Sequence, residues 1–119
     1  MSRVTAPLLG RRFYFVGIGG AGLSAYANFA RAWGAEVRGW DKQETTFMET
    51  LSGVELDVGG EPLPPPGFEV VVSSAHLGRA EGRPRAEFLA ELVALRRSIV
   101  VGGAHGKTTT AAMIAYVLR

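Results

Sequence analysis

The 119-residue sequence predicts an α/β fold: an open, mostly parallel sheet with helices on both faces. Three observations predict it. An apolar run, Phe13 to Val16, passes through a glycine-rich turn into a helical pattern. Strand-length apolar runs then alternate with helical or turn segments along the rest of the chain. Finally, the unbroken valines of Glu69 to Ser73 suit a parallel strand covered on both faces.

The first strand, Phe13 to Val16, gives way to Gly17, Gly19 and Gly22 in G-x-G-x-x-G spacing. In a strand–turn–helix unit each glycine has its own task. Gly17 allows the tight turn, Gly19 allows close approach of a phosphate to the backbone, and Gly22 allows the helix to pack near the strand. The helix start offers free N–H groups and the positive end of a macrodipole, so the unit reads as a Rossmann-like anion site. A merely structural turn is the alternative. The helix itself spans about Ala21 to Trp33, with Leu23, Tyr26 or Ala27, Ala30 and Trp33 on one stripe and Gly34 to end it. Glu36 to Trp40 is the second strand, closing on Asp41, and its helical connection makes it parallel to the first.

A short helix is expected from Glu44 to Leu51 and a short strand from Val54 to Val58. Pro62, Pro64, Pro65 and Pro66 impose a stiff extended connection. After the strand Glu69 to Ser73 comes a polar loop, Leu77 to Arg83. Pro84 then suits the first turn of a helix running to about Arg97, with Phe88, Leu89, Leu92 and Leu95 as its buried stripe. Ser98 to Val101 reads as a further strand and Thr108 to Leu118 as a further helix. Residues 1–97 therefore form a first domain, and 98–119 the strand, loop and helix that begin a second.

Composition narrows the function classes. Thirteen basic against eleven acidic residues leave a net charge of +2, which gives no warrant for a nucleic-acid or membrane partner. The chain has no cysteine, so disulfides, thiolate nucleophiles and cysteine–metal sites are excluded. Its two histidines, His76 and His105, lack metal-ligand spacing. Met1 to Gly10 has no signal-peptide pattern, and no apolar run approaches the roughly 18 residues of a membrane span. The expected setting is cytoplasmic.

Asp41 lies nineteen positions beyond Gly22, where a carboxylate accepts hydrogen bonds from ribose hydroxyls, or alternatively caps the following turn. Ser73, Ser74 and His76 fall at the carboxyl end of the valine strand, on the same edge as Gly17–Gly22. The hydroxyls there serve either a sugar or base or the local backbone, and His76 on its own reads as a surface histidine. A second phosphate signal is Gly102-Gly103-Ala104-His105-Gly106-Lys107-Thr108-Thr109-Thr110. In a P-loop, backbone N–H groups cradle phosphate, Lys107 reaches it and the Thr108 hydroxyl ligates Mg²⁺. The general pattern wants glycine where this chain has Val101.

Together these stretches resemble the muramyl ligases, the ATP-dependent enzymes that add amino acids to UDP-N-acetylmuramic acid in peptidoglycan synthesis, a pathway of cell-wall biogenesis, cell shape and cell division. The likeness is carried by Phe15 to Ser24, by Val71-Val72-Ser73-Ser74-Ala75, and by Arg85 to Leu92 leading to Gly103–Thr110. Within the family it points to the members that join L-alanine. The resemblance implies an N-terminal Rossmann-like domain holding a UDP-sugar through Gly17, Gly19, Gly20, Ala21, Gly22, Leu23 and Ser24. Asp41, Ser73, Ser74, His76 and Arg85 would serve the rest of that ligand. It implies ATP on Gly103, Ala104, His105, Gly106, Lys107, Thr108 and Thr109, with Lys107 catalytic, Thr108 on the metal, and ATP and Mg²⁺ as cofactors of the full-length parent.

The implied partners are UDP-N-acetylmuramate and the parent chain's remaining ATP-binding and amino-acid-binding domains. The chain departs from the family pattern at Ala104, where Thr is usual, and at Pro84, where His is common before Arg85. It ends at Arg119, one helix into the ATP domain, so the fragment alone is expected to be inactive. Two other readings stay open: an NAD(P)-binding oxidoreductase domain, and a non-catalytic nucleotide-sensing module.

Overall fold

The computed structural model describes residues 6–102. Five strands form one sheet: β1 (Arg12–Val16), β2 (Glu36–Asp41), β3 (Glu55–Val58), β4 (Glu69–Val72) and β5 (Arg83–Pro84). Their order is β3-β2-β1-β4-β5, and every neighbouring pair is parallel. Helix α1 (Ala21–Ala32) links β1 to β2, and α2 (Arg85–Gly102) follows β5. The chain builds outward from β1 to β3, then crosses back to lay β4 on the free side of β1. That reversal makes β1/β4 the switch point, where an open α/β sheet leaves a crevice beyond the strand ends.

Register places the crevice. Val16 is opposite Trp40 on one side and Val72 on the other. The next residues of all three strands, Gly17, Asp41 and Ser73, therefore emerge together at one edge. Hydrogen bonds extend the ladder by a step: the Gly17 N–H donates to Trp40 O at 2.7 Å, and the Ser73 N–H to Val16 O at 2.9 Å.

Alternation along the strands sorts the core into two layers. Phe13, Phe15, Val37 and Val71 share one face with Leu23, Ala27, Phe29 and Ala30 of α1 and Phe88 and Leu92 of α2. Phe88 meets Phe13 and Phe15 edge-on, at 5.1 and 5.5 Å between ring centroids, a geometry that suits the aromatic quadrupole. The opposite face carries Tyr14, Val16, Trp40 and Val72.

A helix was expected on that second face too, but among the described residues loops cover it. Phe68 and Ala80 pack there, Trp40 Nε1–H donates to Gly59 O at 2.8 Å, and the Tyr14 hydroxyl donates to Asp57 Oδ2 at 3.0 Å while accepting the Leu63 N–H. The cause is two short connections. The β3–β4 link, residues 59–68, holds no helix and the β4–β5 link, residues 73–82, only a 3₁₀ turn, Ser74–His76, whereas a helical crossover needs a dozen or more residues.

Three local expectations are corrected. Ser98–Val101 is not a strand; these residues continue α2 to Gly102. Ile99, Val100 and Val101 are β-branched, which lowers helix propensity by only tenths of a kcal/mol each, while extending an existing helix adds a hydrogen bond per residue. Pro84 does not lie in the first helical turn. It pairs with Val72 as the last residue of β5, immediately before α2. The expected helix from Glu44 is the shorter 3₁₀ segment Thr46–Leu51, which buries Met48 and Leu51. The expected loop Gly103–Thr109 and helix Thr108–Leu118 lie outside the described residues.

The opposite edge of the sheet is tied to α2 by charge. Arg11 bonds Glu69 at 2.7 Å and also reaches Glu91, which Arg83 meets at 2.8 Å. Hydrogen bonds to Glu69 and then Glu91 hold the Arg11 guanidinium above its usual range, and the Arg11 bond holds Glu91 below its own.

Candidate functional site

Beyond the ends of β1, β2 and β4 lies an open cleft of about 410 Å³. Gly17, Gly19, Gly20, Ala21, Gly22 and Leu23 form its floor, and Asp41, Thr45, Ser73, Ser74, Ala75, His76 and Arg85 its walls. The structure thus brings together nearly every residue that the sequence assigns to the sugar-nucleotide site. Ser24 is the exception. It is 4% exposed, its hydroxyl donates to Ala21 O at 3.1 Å, and it does not line the cleft.

The glycine loop is held from both sides. The Gly19 N–H donates to Asp41 Oδ2 at 2.8 Å, and the Thr45 hydroxyl donates to Gly19 O at 2.7 Å. Gly17 has φ +94°, which a side chain strongly disfavours, and a Cβ there would run into Ser73 Oγ. That matches its expected turn role.

The other two glycines have different reasons. A Cβ on Gly19 would stand 2.9 Å from Asp41 Oδ2 and 3.0 Å from both Thr45 Oγ1 and Met48 Cε. Close approach of the loop to the end of β2 therefore requires this glycine. A Cβ on Gly22 would lie 2.6 Å from Arg85 Nη1, so Gly22 admits a guanidinium, where the sequence reading had strand packing.

This geometry decides which donors are free. The N–H groups of Gly17, Ile18, Gly19 and Gly20 are all engaged, the last with Gly17 O at 3.1 Å. Intrahelical bonding begins with the Ser24 N–H to Gly20 O, and no side chain caps α1. Among the described residues, the N–H groups of Ala21, Gly22 and Leu23 thus face the cleft without partners, as helix starts do. Arg85 adds a full positive charge beside them. Three convergent donors, a dipole and a guanidinium suit an oxyanion such as a phosphate.

No family model matches the chain, and no solved structure matches it. Curated relatives do. The UDP-N-acetylmuramate–L-alanine ligase of Sorangium cellulosum (strain So ce56) is 41% identical over 123 residues, covering 92% of this chain and 26% of the relative. The enzyme of that name from Halorhodospira halophila (strain DSM 244 / SL1) is 36% identical over 137 residues, covering 98% and 28%. That from Jannaschia sp. (strain CCS1) is 41% identical over 119 residues, covering 88% and 25%. The chain is a relative of the muramyl ligases. It spans about a quarter of the length of the curated relatives it matches.

In this muramyl-ligase relative the acidic wall is also ordered. Asp41 Oδ1 accepts the Lys42 N–H at 2.7 Å and lies 3.8 Å from His76 Nε2. His76 was expected at the surface. Its side chain is instead 15% exposed, edge-on to Trp40 at 5.1 Å between ring centroids. Thr45 and Ala75 are cleft residues that the sequence reading missed. Thr45 sits in a polar stretch without periodicity, and only its place ahead of the 3₁₀ segment distinguishes it. Among the described residues no group of three or more His, Cys, Asp or Glu side chains is placed to hold a metal, and no helix is long and apolar enough to cross a membrane. The expected ATP residues, Gly103 to Thr109 with Lys107 and Thr108, lie outside the described residues.

Proposed function

We propose that this chain is the UDP-sugar-binding part of an ATP-dependent ligase that joins L-alanine to UDP-N-acetylmuramate in peptidoglycan synthesis. The similarity to enzymes of that name over nine-tenths of the chain carries the reading. The cleft agrees with it. The N–H groups of Ala21, Gly22 and Leu23, with Arg85, suit the diphosphate, and Asp41, Ser73, Ser74 and His76 suit the uridine side.

In the whole enzyme, ATP and Mg²⁺ would bind through Gly103–Thr109, with Lys107 on the phosphates and Thr108 on the metal. Residues 98–119, of which 98–102 continue α2, would then lead into the ATP-binding domain, and the remaining domains would supply the amino-acid site. The 119-residue chain alone is expected to bind the nucleotide without turning it over, because phosphoryl transfer needs more positioning groups than one loop offers.

Calorimetric titration of the chain with UDP-N-acetylmuramate, UDP and NAD tests the reading. Binding of the two uridine ligands with NAD weaker is the expected result. Tight NAD binding without UDP binding would return the cleft to a dinucleotide oxidoreductase.

A further inference from the structure

We infer that His76 and Asp41 act as a donor–acceptor pair that reads a single ribose hydroxyl of the bound nucleotide; this rests on the uridine-nucleotide reading above. Asp41 is a carboxylate, so it only accepts hydrogen bonds. Its Oδ2 already accepts from Gly19 and its Oδ1 from Lys42, but each oxygen keeps a second lone pair.

His76 supplies the complementary group. Its Nδ1 is buried without a hydrogen-bond partner, while its Nε2 faces Asp41 Oδ1 across 3.8 Å. The tautomer with hydrogen on Nε2 satisfies both ends best. It leaves a bare acceptor at the buried Nδ1 instead of an orphaned donor, and it turns an N–H toward the carboxylate. The His76 ring packs against Trp40 and lies over the glycine loop. It lies edge-on to Trp40, and its Cδ2 stands 2.9 Å from the position a Gly17 Cβ would occupy.

The separation matters. At 3.8 Å the pair is too far apart for a direct hydrogen bond. It is close enough for one oxygen to lie about 2.8 Å from both atoms. Such an oxygen must donate to Asp41 and accept from His76 at once. A hydroxyl does both; a carbonyl, ether or phosphate oxygen does not. With the phosphate donors of α1 on the same cleft floor, the hydroxyl in reach belongs to the adjoining ribose. A nucleotide lacking it leaves the His76 Nε2–H without its acceptor and the second Asp41 Oδ1 lone pair without a donor, which is how a site rejects a deoxy analogue.

The experiment titrates the 119-residue chain with UDP, 2′-deoxy-UDP and 3′-deoxy-UDP, in the wild type and in His76→Phe and His76→Gln. One of the two deoxy analogues should bind the wild type about tenfold more weakly than UDP, the size of one lost hydrogen-bonded group. In His76→Phe that penalty should shrink severalfold, because the donor is gone. His76→Gln, whose amide N–H₂ reaches the Nε2 position, should restore it. A His76→Phe chain that loses affinity equally for all three ligands, or for none, overturns the pair while leaving the uridine-nucleotide reading intact. Absence of UDP binding to the wild type overturns both.

Discussion

The Gly19 N–H donates to Asp41 Oδ2 at 2.8 Å, so the carboxylate that ends β2 fastens the glycine loop that follows β1. Asp41 therefore has a structural duty whether or not a ligand is present. Asp41→Ala would leave the half-buried Gly19 N–H without its acceptor, a loss of about 1–3 kcal/mol. The variant should show that loss in urea denaturation and bind UDP at least tenfold more weakly. A variant as stable as the wild type would mean that the loop keeps its shape without the carboxylate.

Gly19→Ala tests the same contact from the other side. Its methyl would arrive 2.9 Å from Asp41 Oδ2 and 3.0 Å from Met48 Cε. Met48 is buried and belongs to the core, so relief by that route disturbs packing. Overpacking of this kind costs about 1–3 kcal/mol. Thermal unfolding should register it, with UDP affinity falling in parallel. If only affinity fell, Gly19 would be serving close phosphate approach, as the spacing alone suggests.

Much of the fold was legible because its signals are local and redundant. Phe13 to Val16, Glu36 to Trp40 and Glu69 to Ser73 read as strands, each end within a residue of the observed one, from composition and from the turns that bound them, and the alternation with α1 made them parallel. The cleft followed, since parallel strands whose order of addition reverses at β1 bring Gly17, Asp41 and Ser73 to one edge. What was missed depends on tertiary context. Ser98–Val101 carries a strand composition yet continues α2, because β-propensity reflects neighbours more than backbone preference. Arg85 against Gly22 and His76 against Trp40 are contacts between segments more than thirty residues apart, and no periodicity announces them. The loop-covered second face came from the shortness of residues 59–68 and 73–82, lengths whose consequence shows only once β4 and β5 are known to join the sheet.

Glu91 should make stability depend on acid. Its hydrogen bond to Arg11 lowers its folded-state pKa below the ordinary 4.5. A carboxylate with a depressed folded value contributes stability above its unfolded value and loses that contribution as pH falls through the folded one. Glu91→Gln should therefore cost about 1 kcal/mol near neutral pH, discounted for the pair's partial exposure. The difference from wild type should vanish once the solution is well below pH 4.5. Denaturant midpoints of both proteins across that range check it. A gap of constant size would show that Glu91 acts by packing and not by charge.

Tyr14 gives the opposite limb. Burial raises its pKa from 10.0 to about 12, with the Asp57 carboxylate adding to the shift and the Leu63 N–H opposing it. Tyr14 is 1% exposed, and its hydroxyl donates to Asp57 Oδ2 at 3.0 Å, a bond that the phenolate would turn into a repulsion between two anions. A group whose folded value is raised contributes stability that is fully present below the unfolded value and is lost as pH climbs through the folded one. Wild-type stability should therefore fall between pH 10 and about 12 by an amount that Tyr14→Phe does not show. The Phe variant should begin less stable at neutral pH, since Asp57 and the Leu63 N–H lose their partner, and the two curves should converge at the alkaline end. Urea denaturation followed by tryptophan fluorescence reports it directly, because Trp40 belongs to the same buried cluster as Tyr14. Parallel alkaline curves for the two proteins would place the Tyr14 hydroxyl in contact with water and remove it from the core of the second face.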